Sequence, residues 1–155
     1  ETLRRFVGTL REAQEKLATR HGAHKPMLLK IAPDLSDAEL DGVAQVLLAA
    51  KIDGLICTNT TIDRSAVAGA KHAEEAGGLS GKPLFGKATT VLHGMAQRLG
   101  DKIPLVGVGG ILSGADAAAK IAAGARLVQF YSGMVYRGPT LIGECVEAIR
   151  KRAAR

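Results

Sequence analysis

The sequence predicts an α/β fold, the C-terminal half of a (β/α)8 (TIM) barrel with four parallel strands each followed by a helix. Two observations carry this. Four short, continuous apolar runs alternate with helical patterns, as strands buried on both faces of a parallel sheet do. The third and fourth runs end in small residues, Gly107-Val108-Gly109-Gly110 and Tyr131-Ser132-Gly133. Paired strand ends with free backbone N–H groups make a phosphate cradle. In a barrel that cradle follows strands 7 and 8, with a short helix aiming its N-terminus at the anion. A flavodoxin-like sheet suits the length but places its phosphate loop after the first strand. Four units do not close a barrel. The chain therefore reads as a single segment, residues 1–155, whose upstream half is missing, and its start at Glu1, inside a helical pattern, fits a cut or processed end.

Residues 2–20 form an amphipathic pattern with Phe6, Leu10 and Leu17 on one stripe, closed by His21-Gly22. Residues 27–32 make a short apolar strand stopped by Pro33. Ser36 and Glu39 form a capping box that opens a helix to about Lys51, with Val43, Val46 and Leu47 inward. Residues 54–58 are the second strand. The polar, glycine-rich connection 59–86 is longer than most βα loops, and such loops carry function. A helix over 87–99 turns Val91, Leu92 and Met95 inward, and 105–108 is the third strand. Ser113 and Asp116 cap a helix to Ala123, which Gly124 ends. The fourth strand is 127–130, and Pro139 introduces a last helix over 141–151.

Composition narrows the class. With 46% hydrophobic and 23% charged residues the chain is globular. Aromatics at 3% argue against a base-stacking nucleic-acid platform. The net charge of +6 gathers on Arg4, Arg5, Arg11, Lys16 and Arg20 and on Arg150, Lys151, Arg152 and Arg155. With no DNA-reading motif beside them, these read as solvated helix faces. The two cysteines form no C-x-x-C and no disulfide framework, so a reducing compartment is expected. No run reaches the length of a membrane span.

Lys30 is the most pointed single residue. Strand alternation sets Leu28, Lys30 and Ala32 on the barrel-interior side and Leu29 and Ile31 on the other. An ammonium buried there needs an anion, which a reduced flavin, a substrate carboxylate, a phosphate or a neighbouring Asp supplies; otherwise the lysine snorkels from the strand rim. Thr58-Asn59-Thr60-Thr61 gives four hydrogen-bonding side chains in a row, suited to a planar heterocycle or to a turn that satisfies its own backbone. Gly77-Gly78-Leu79-Ser80-Gly81-Lys82-Pro83 fails as a Walker A loop, since Ala76 and Pro83 stand where Gly and Ser/Thr are needed. It reads as a glycine bend that packs backbone on a flat ligand. Leu112 breaks the dinucleotide fingerprint after Gly107 and Gly109. His21, His24, His72 and His93 lack metal-ligand spacing, Cys57 reads as packing, and Asp34, Asp53 and Asp63 read as caps or turns without an acid/base pair.

Five segments, in order, resemble class 2 (quinone-dependent) dihydroorotate dehydrogenases: Lys30-Ile31-Ala32-Pro33-Asp34-Leu35; Asp53-Gly54-Leu55 with Thr58-Asn59-Thr60-Thr61; Gly77 to Leu84; Val106 to Gly110; and Leu127 to Ser132. The resemblance implies an FMN-dependent barrel that oxidises dihydroorotate to orotate. It implies that Lys30 stabilises the reduced flavin, that Thr58 contacts it, and that Ser80 and Gly81 pack along it. Gly109, Gly110, Tyr131 and Ser132 then hold the flavin phosphate, Asn59 and Thr60 bind the orotate ring, and Tyr131 borders the quinone tunnel. The family's catalytic serine belongs to the absent strands, and Ser36, Ser65, Ser80, Ser113 and Ser132 sit in other contexts. The segment is therefore expected to hold no catalytic residue, to be inactive alone, and to self-associate through its open sheet. Its parent is expected at the cytoplasmic side of the inner membrane, attached through an N-terminal helical region missing here, with the segment itself soluble. The alternatives are another phosphate-binding barrel enzyme, such as a phosphosugar isomerase or thiamine-phosphate synthase relative, and a non-catalytic half-barrel that binds a phosphate ligand.

Overall fold

A computed structural model describes residues 1–154; Arg155, part of the terminal basic cluster, lies outside the described residues. The four apolar runs become β1 (Leu28–Ile31), β2 (Gly54–Cys57), β3 (Leu105–Val108) and β4 (Leu127–Gln129). They lie parallel in the order β1-β2-β3-β4. Side chains alternate across the sheet. Lys30, Ile56, Val106 and Leu127 are in register on one face; Ile31, Cys57, Gly107 and Val128 form a row on the other.

Six α-helices lie among the described residues: α1 (Thr2–His21), α2 (Asp37–Ala50), α3 (Phe85–Leu99), α4 (Gly114–Ala122), α5 (Ser132–Arg137) and α6 (Thr140–Ala153). They cover the face carrying Ile31 and Cys57. There Leu47, Leu55, Leu92, Met95, Leu99 and Leu105 form the main core, and Ile111, Ala117, Leu141 and Cys145 form a second cluster under β4. Burial of such side chains drives the packing at roughly 25 cal/mol per Å² of apolar surface. The opposite face is left open, with Leu28, Lys30 and Leu127 exposed.

Local signals act as the sequence suggests. Ser36 Oγ accepts from Glu39 N while Glu39 Oε2 accepts from Ser36 N at 2.8 Å, closing the capping box of α2. Ser113 Oγ accepts from Asp116 N at 3.1 Å and caps α4. Two elements differ from expectation. Residues 59–86 are not one structureless connection: Thr61 and Leu79 exchange both backbone hydrogen bonds, at 3.1 and 2.8 Å, and 3-10 turns occupy Ser65–Val67 and Lys82–Leu84. The second turn runs straight into α3, which therefore starts at Phe85 rather than 87.

The other difference lies in α1. Phe6 and Leu17 are exposed, and Val7 is the buried residue, with Leu3 packed on the core beside it. The docked stripe is Leu3, Val7, Arg11 and Gln14, at helical spacing, and its second half is polar. Arg11 and Gln14 donate to Asp53 Oδ2 at 3.3 and 3.0 Å. Met27 N donates to the same oxygen at 2.9 Å, and His24 Nε2 lies 3.1 Å from Oδ1. Partial burial works against ionisation of Asp53, yet the bonds from Gln14, Met27 and His24 outweigh it and hold the carboxyl at about 2.

Asp53 thus ties α1 and the approach to β1 onto the start of β2. Asp53→Ala is expected to lower stability by about 2 kcal/mol at pH 7 in denaturant unfolding. Because the folded-state pKa is depressed, the difference from wild type should shrink as pH falls from about 4 and vanish near 2.

Candidate ligand-binding cleft

The C-terminal ends of all four strands open into one cleft of about 90 Å³. It collects Lys30 from β1, Thr58, Asn59 and Thr60 after β2, Ser80 and Gly81 from the long connection, Gly109 and Gly110 after β3, and Tyr131 and Ser132 after β4. Every residue singled out from the sequence as cofactor- or substrate-contacting therefore lies in the same place. Ligands of parallel α/β sheets bind at this end.

Lys30 stands at the rim and is exposed, so the expectation of a buried ammonium is corrected. The open sheet face gives its head water, and no protein anion is needed to hold it. Thr58 is buried, and its hydroxyl donates to Asn59 O at 2.9 Å. Asn59 N donates to Ile31 O at 2.7 Å, tying the loop to β1. Asn59 Oδ1 accepts from Thr60 N at 3.0 Å. The turn-forming and ligand-binding roles of this asparagine are thus compatible: its oxygen serves the turn and its amide N–H groups are uncommitted. Thr60 presses on Gly78, where an added Cβ would lie 1.9 Å from Thr60 Oγ1.

Below this loop is an ion network absent from the sequence-level expectations. Lys87 Nζ donates to Asp34 Oδ1 and Asp63 Oδ2, each at 2.9 Å. Asp34 also accepts from Thr61 Oγ1 and from Ile62 N at 3.1 Å. Burial disfavours the Asp34 carboxylate, but the bonds from Thr61, Lys87 and Ile62 N prevail and keep it below the ordinary range. Lys87 and Ser65 hold Asp63 far below that range. The network staples α3 to the loops after β1 and β2.

Gly109 and Gly110 are buried at φ 98° and 74°. Added Cβ atoms would meet Ala88 Cβ at 2.9 Å and Phe85 backbone at 2.6 Å, so only glycine lets this strand end lie on the first turn of α3. Among the described residues the N–H groups of Gly110 and Ile111 find no protein acceptor. The first N–H groups of α5, at Ser132 and Gly133, have no intrahelical acceptor either. Ser132 Oγ meets Ser80 Oγ at 3.1 Å across the cleft. Unpaired N–H groups beside a hydroxyl are the donor set a phosphate takes.

Sequence reasoning missed Lys120. It lies on α4 and is fully buried, with its head 4.8 Å from the centre of the Phe85 ring and 3.4 Å from Phe85 O. Its place one turn after Ala117, on the apolar stripe of α4, was the available signal. Burial pulls its pKa down to about 8, against the opposing pull of the Asp116 carboxylate. Burial also pushes the Cys57 thiol up to about 12, in keeping with a packing role.

A family model described as dihydroorotate dehydrogenase matches residues 4–152. Proteins named dihydroorotate dehydrogenase (quinone) from Xanthomonas campestris pv. campestris (strain B100) and Stenotrophomonas maltophilia (strain K279a) are 60% and 61% identical over 152 and 150 residues. Those matches take in 98% and 97% of this chain but 43% of each relative, so the chain spans less than half their length. The crystal structure of DHODH from Eimeria tenella in complex with ferulenol superposes with a TM-score of 0.78 at 38% identity, over 84% of this chain and 35% of that one.

Lys120 has a consequence for stability. Its folded-state pKa of about 8 lies below the usual 10.5, so between those values the unfolded chain binds more protons than the folded one. The stability of the ligand-free protein is expected to rise from pH 8 to 10, and that contribution should be absent in Lys120→Met, by denaturant unfolding at each pH.

Proposed function

The chain belongs to the dihydroorotate dehydrogenase family, and from that premise we propose that it forms the flavin- and orotate-binding wall of an enzyme that oxidises dihydroorotate to orotate with FMN as cofactor and a quinone as electron acceptor. The observation that carries the proposal is the single cleft into which Lys30, Asn59, Gly110 and Ser132 all open. When bound, FMN would supply the two-electron acceptor that oxidation of dihydroorotate needs, with a quinone as the final acceptor.

The chain's own residues do the rest. Gly110, Ser132 and their neighbours hold the phosphate through backbone N–H groups and the Ser132 hydroxyl. Lys30 sets a positive charge at the edge of the cleft, where a planar ring gains negative charge on reduction. Thr58, Ser80 and Gly81 bound the flat part of the ligand. Asn59 offers N–H donors and Thr60 a hydroxyl to the alternating carbonyl and N–H groups of orotate. Tyr131, 85% exposed at the rim, borders the way in for quinone. Among the described residues the lining holds no carboxylate, imidazole or thiol. In this reading the chain contributes binding and charge, and proton abstraction falls to a base it does not carry. No described helix is long and apolar enough to cross a membrane; contact with a membrane quinone belongs to the parent enzyme.

Titration of the chain with FMN, followed by flavin fluorescence, is expected to show saturable binding. Gly110→Ala should weaken it by at least about tenfold, since the displaced cradle loses more than about 1.4 kcal/mol. Dihydroorotate with FMN and a quinone acceptor should give no steady-state turnover. Absence of FMN binding, with stabilisation by a phosphosugar instead, would overturn the cofactor assignment; robust turnover would overturn the division of labour.

A further inference from the structure

Lys120 lies outside the lining of the cleft, and nothing in the proposed chemistry uses it. It heads the fully buried side chains by volume, with 0% of its surface exposed. Its stem crosses β3 at Gly107, where an added Cβ would come within 2.9 Å of Lys120 Cβ. The head then reaches Phe85, and the Phe85 carbonyl is its one hydrogen-bond acceptor among the described residues.

The charged groups around it do not neutralise it. Asp116, on its own helix, is committed to Leu112 N at 3.0 Å, Ser113 Oγ at 2.9 Å and Lys82 at 3.4 Å. Cys57, from β2, has its thiol pushed up to about 12 and stays neutral. Lys82, preceding α3, lies over the same Phe85 ring at 5.2 Å and adds a second positive charge. Among the described residues no carboxylate lies within ion-pair distance of Lys120. A buried ammonium with one carbonyl, one ring face and no counter-ion is costly to keep. The cost is offset if an anion arrives nearby.

Phe85 shows where. Its backbone N and Cα lie 2.7 and 2.6 Å from the Cβ position of Gly110, so the residue that Lys120 grips is the back wall of the cradle. We propose that Lys120 is a positioning residue whose buried ammonium backs the Gly109–Gly110 cradle through Phe85 and makes the cleft selective for a ligand carrying a phosphate group. This rests on the reading of the cleft as a flavin site with its phosphate at Gly110. The charge acts across the wall without touching the ligand, and low local polarity lets it be felt there.

The test compares FMN with riboflavin, which lacks only the phosphate, on the full chain and on Lys120→Met. The variant should lose FMN affinity by on the order of tenfold while riboflavin affinity changes less than about twofold. The wild-type preference for FMN over riboflavin should fall as pH rises from 7 to 9.5, where a phosphate with a second pKa near 6 stays dianionic. Equal losses for both flavins would overturn the proposal, because a purely structural lysine affects both alike. If Lys120→Met does not fold, the wild-type profile decides, and a pH-independent preference rejects the proposal. Thermal unfolding in inorganic phosphate separates this proposal from the flavin reading. If neither flavin binds but phosphate stabilises wild type more than Lys120→Met, the flavin reading fails and Lys120 keeps its role. Equal stabilisation of both proteins removes that role.

Discussion

The contact of Gly109 and Gly110 with the first turn of α3 is the constraint on which the rest of the cleft depends. Two residues without side chains, both at positive φ, lay the end of β3 against Phe85 and Ala88 at distances no Cβ permits. That approach fixes where α3 begins. It also leaves the backbone N–H groups after β3 unpaired at the mouth of the cleft, next to the start of α5. The cradle is a property of backbone placement, and side chains only frame it.

Charge networks set the neighbouring walls. Asp34, Asp63 and Lys87 bind the loops after β1 and β2 to α3. Thr61 and Leu79 close the long connection at its neck, so that Ser80 and Gly81 return to the cleft opposite Ser132. Asp53 does comparable work at the opposite end of β2, where it gathers α1, His24 and the backbone of Met27. Buried apolar surface supplies the driving force, while these polar knots decide which loop lies where.

Much of this was legible in the sequence. The strands followed from four apolar runs, the starts of α2 and α4 from Ser36 and Ser113, and the gathering of Lys30, Asn59 and Gly110 at one rim from strand alternation and order. What stayed hidden had a physical cause. The docking stripe of α1 escapes local pattern because half of it is polar and answers to Asp53, a partner far along the chain, while Phe6 and Leu17 face solvent. Lys87 looks like any helix-surface lysine until Asp34 and Asp63 are brought to it. Lys120 carries one local signal, its place on the apolar stripe of α4, but its burial rests on Gly107 making room for its stem. Each depends on a long-range pairing that local pattern does not carry.

In the proposed function one flat, phosphorylated ligand is held at once by the segments after β2, β3 and β4. Titration of the chain with FMN, followed by its amide chemical shifts, decides this. Asn59, Thr60, Gly110, Ile111 and Ser132 are expected to move together and fit a single dissociation constant. Unmoved amides at Gly110 and Ser132, with shifts gathered elsewhere, would refute it.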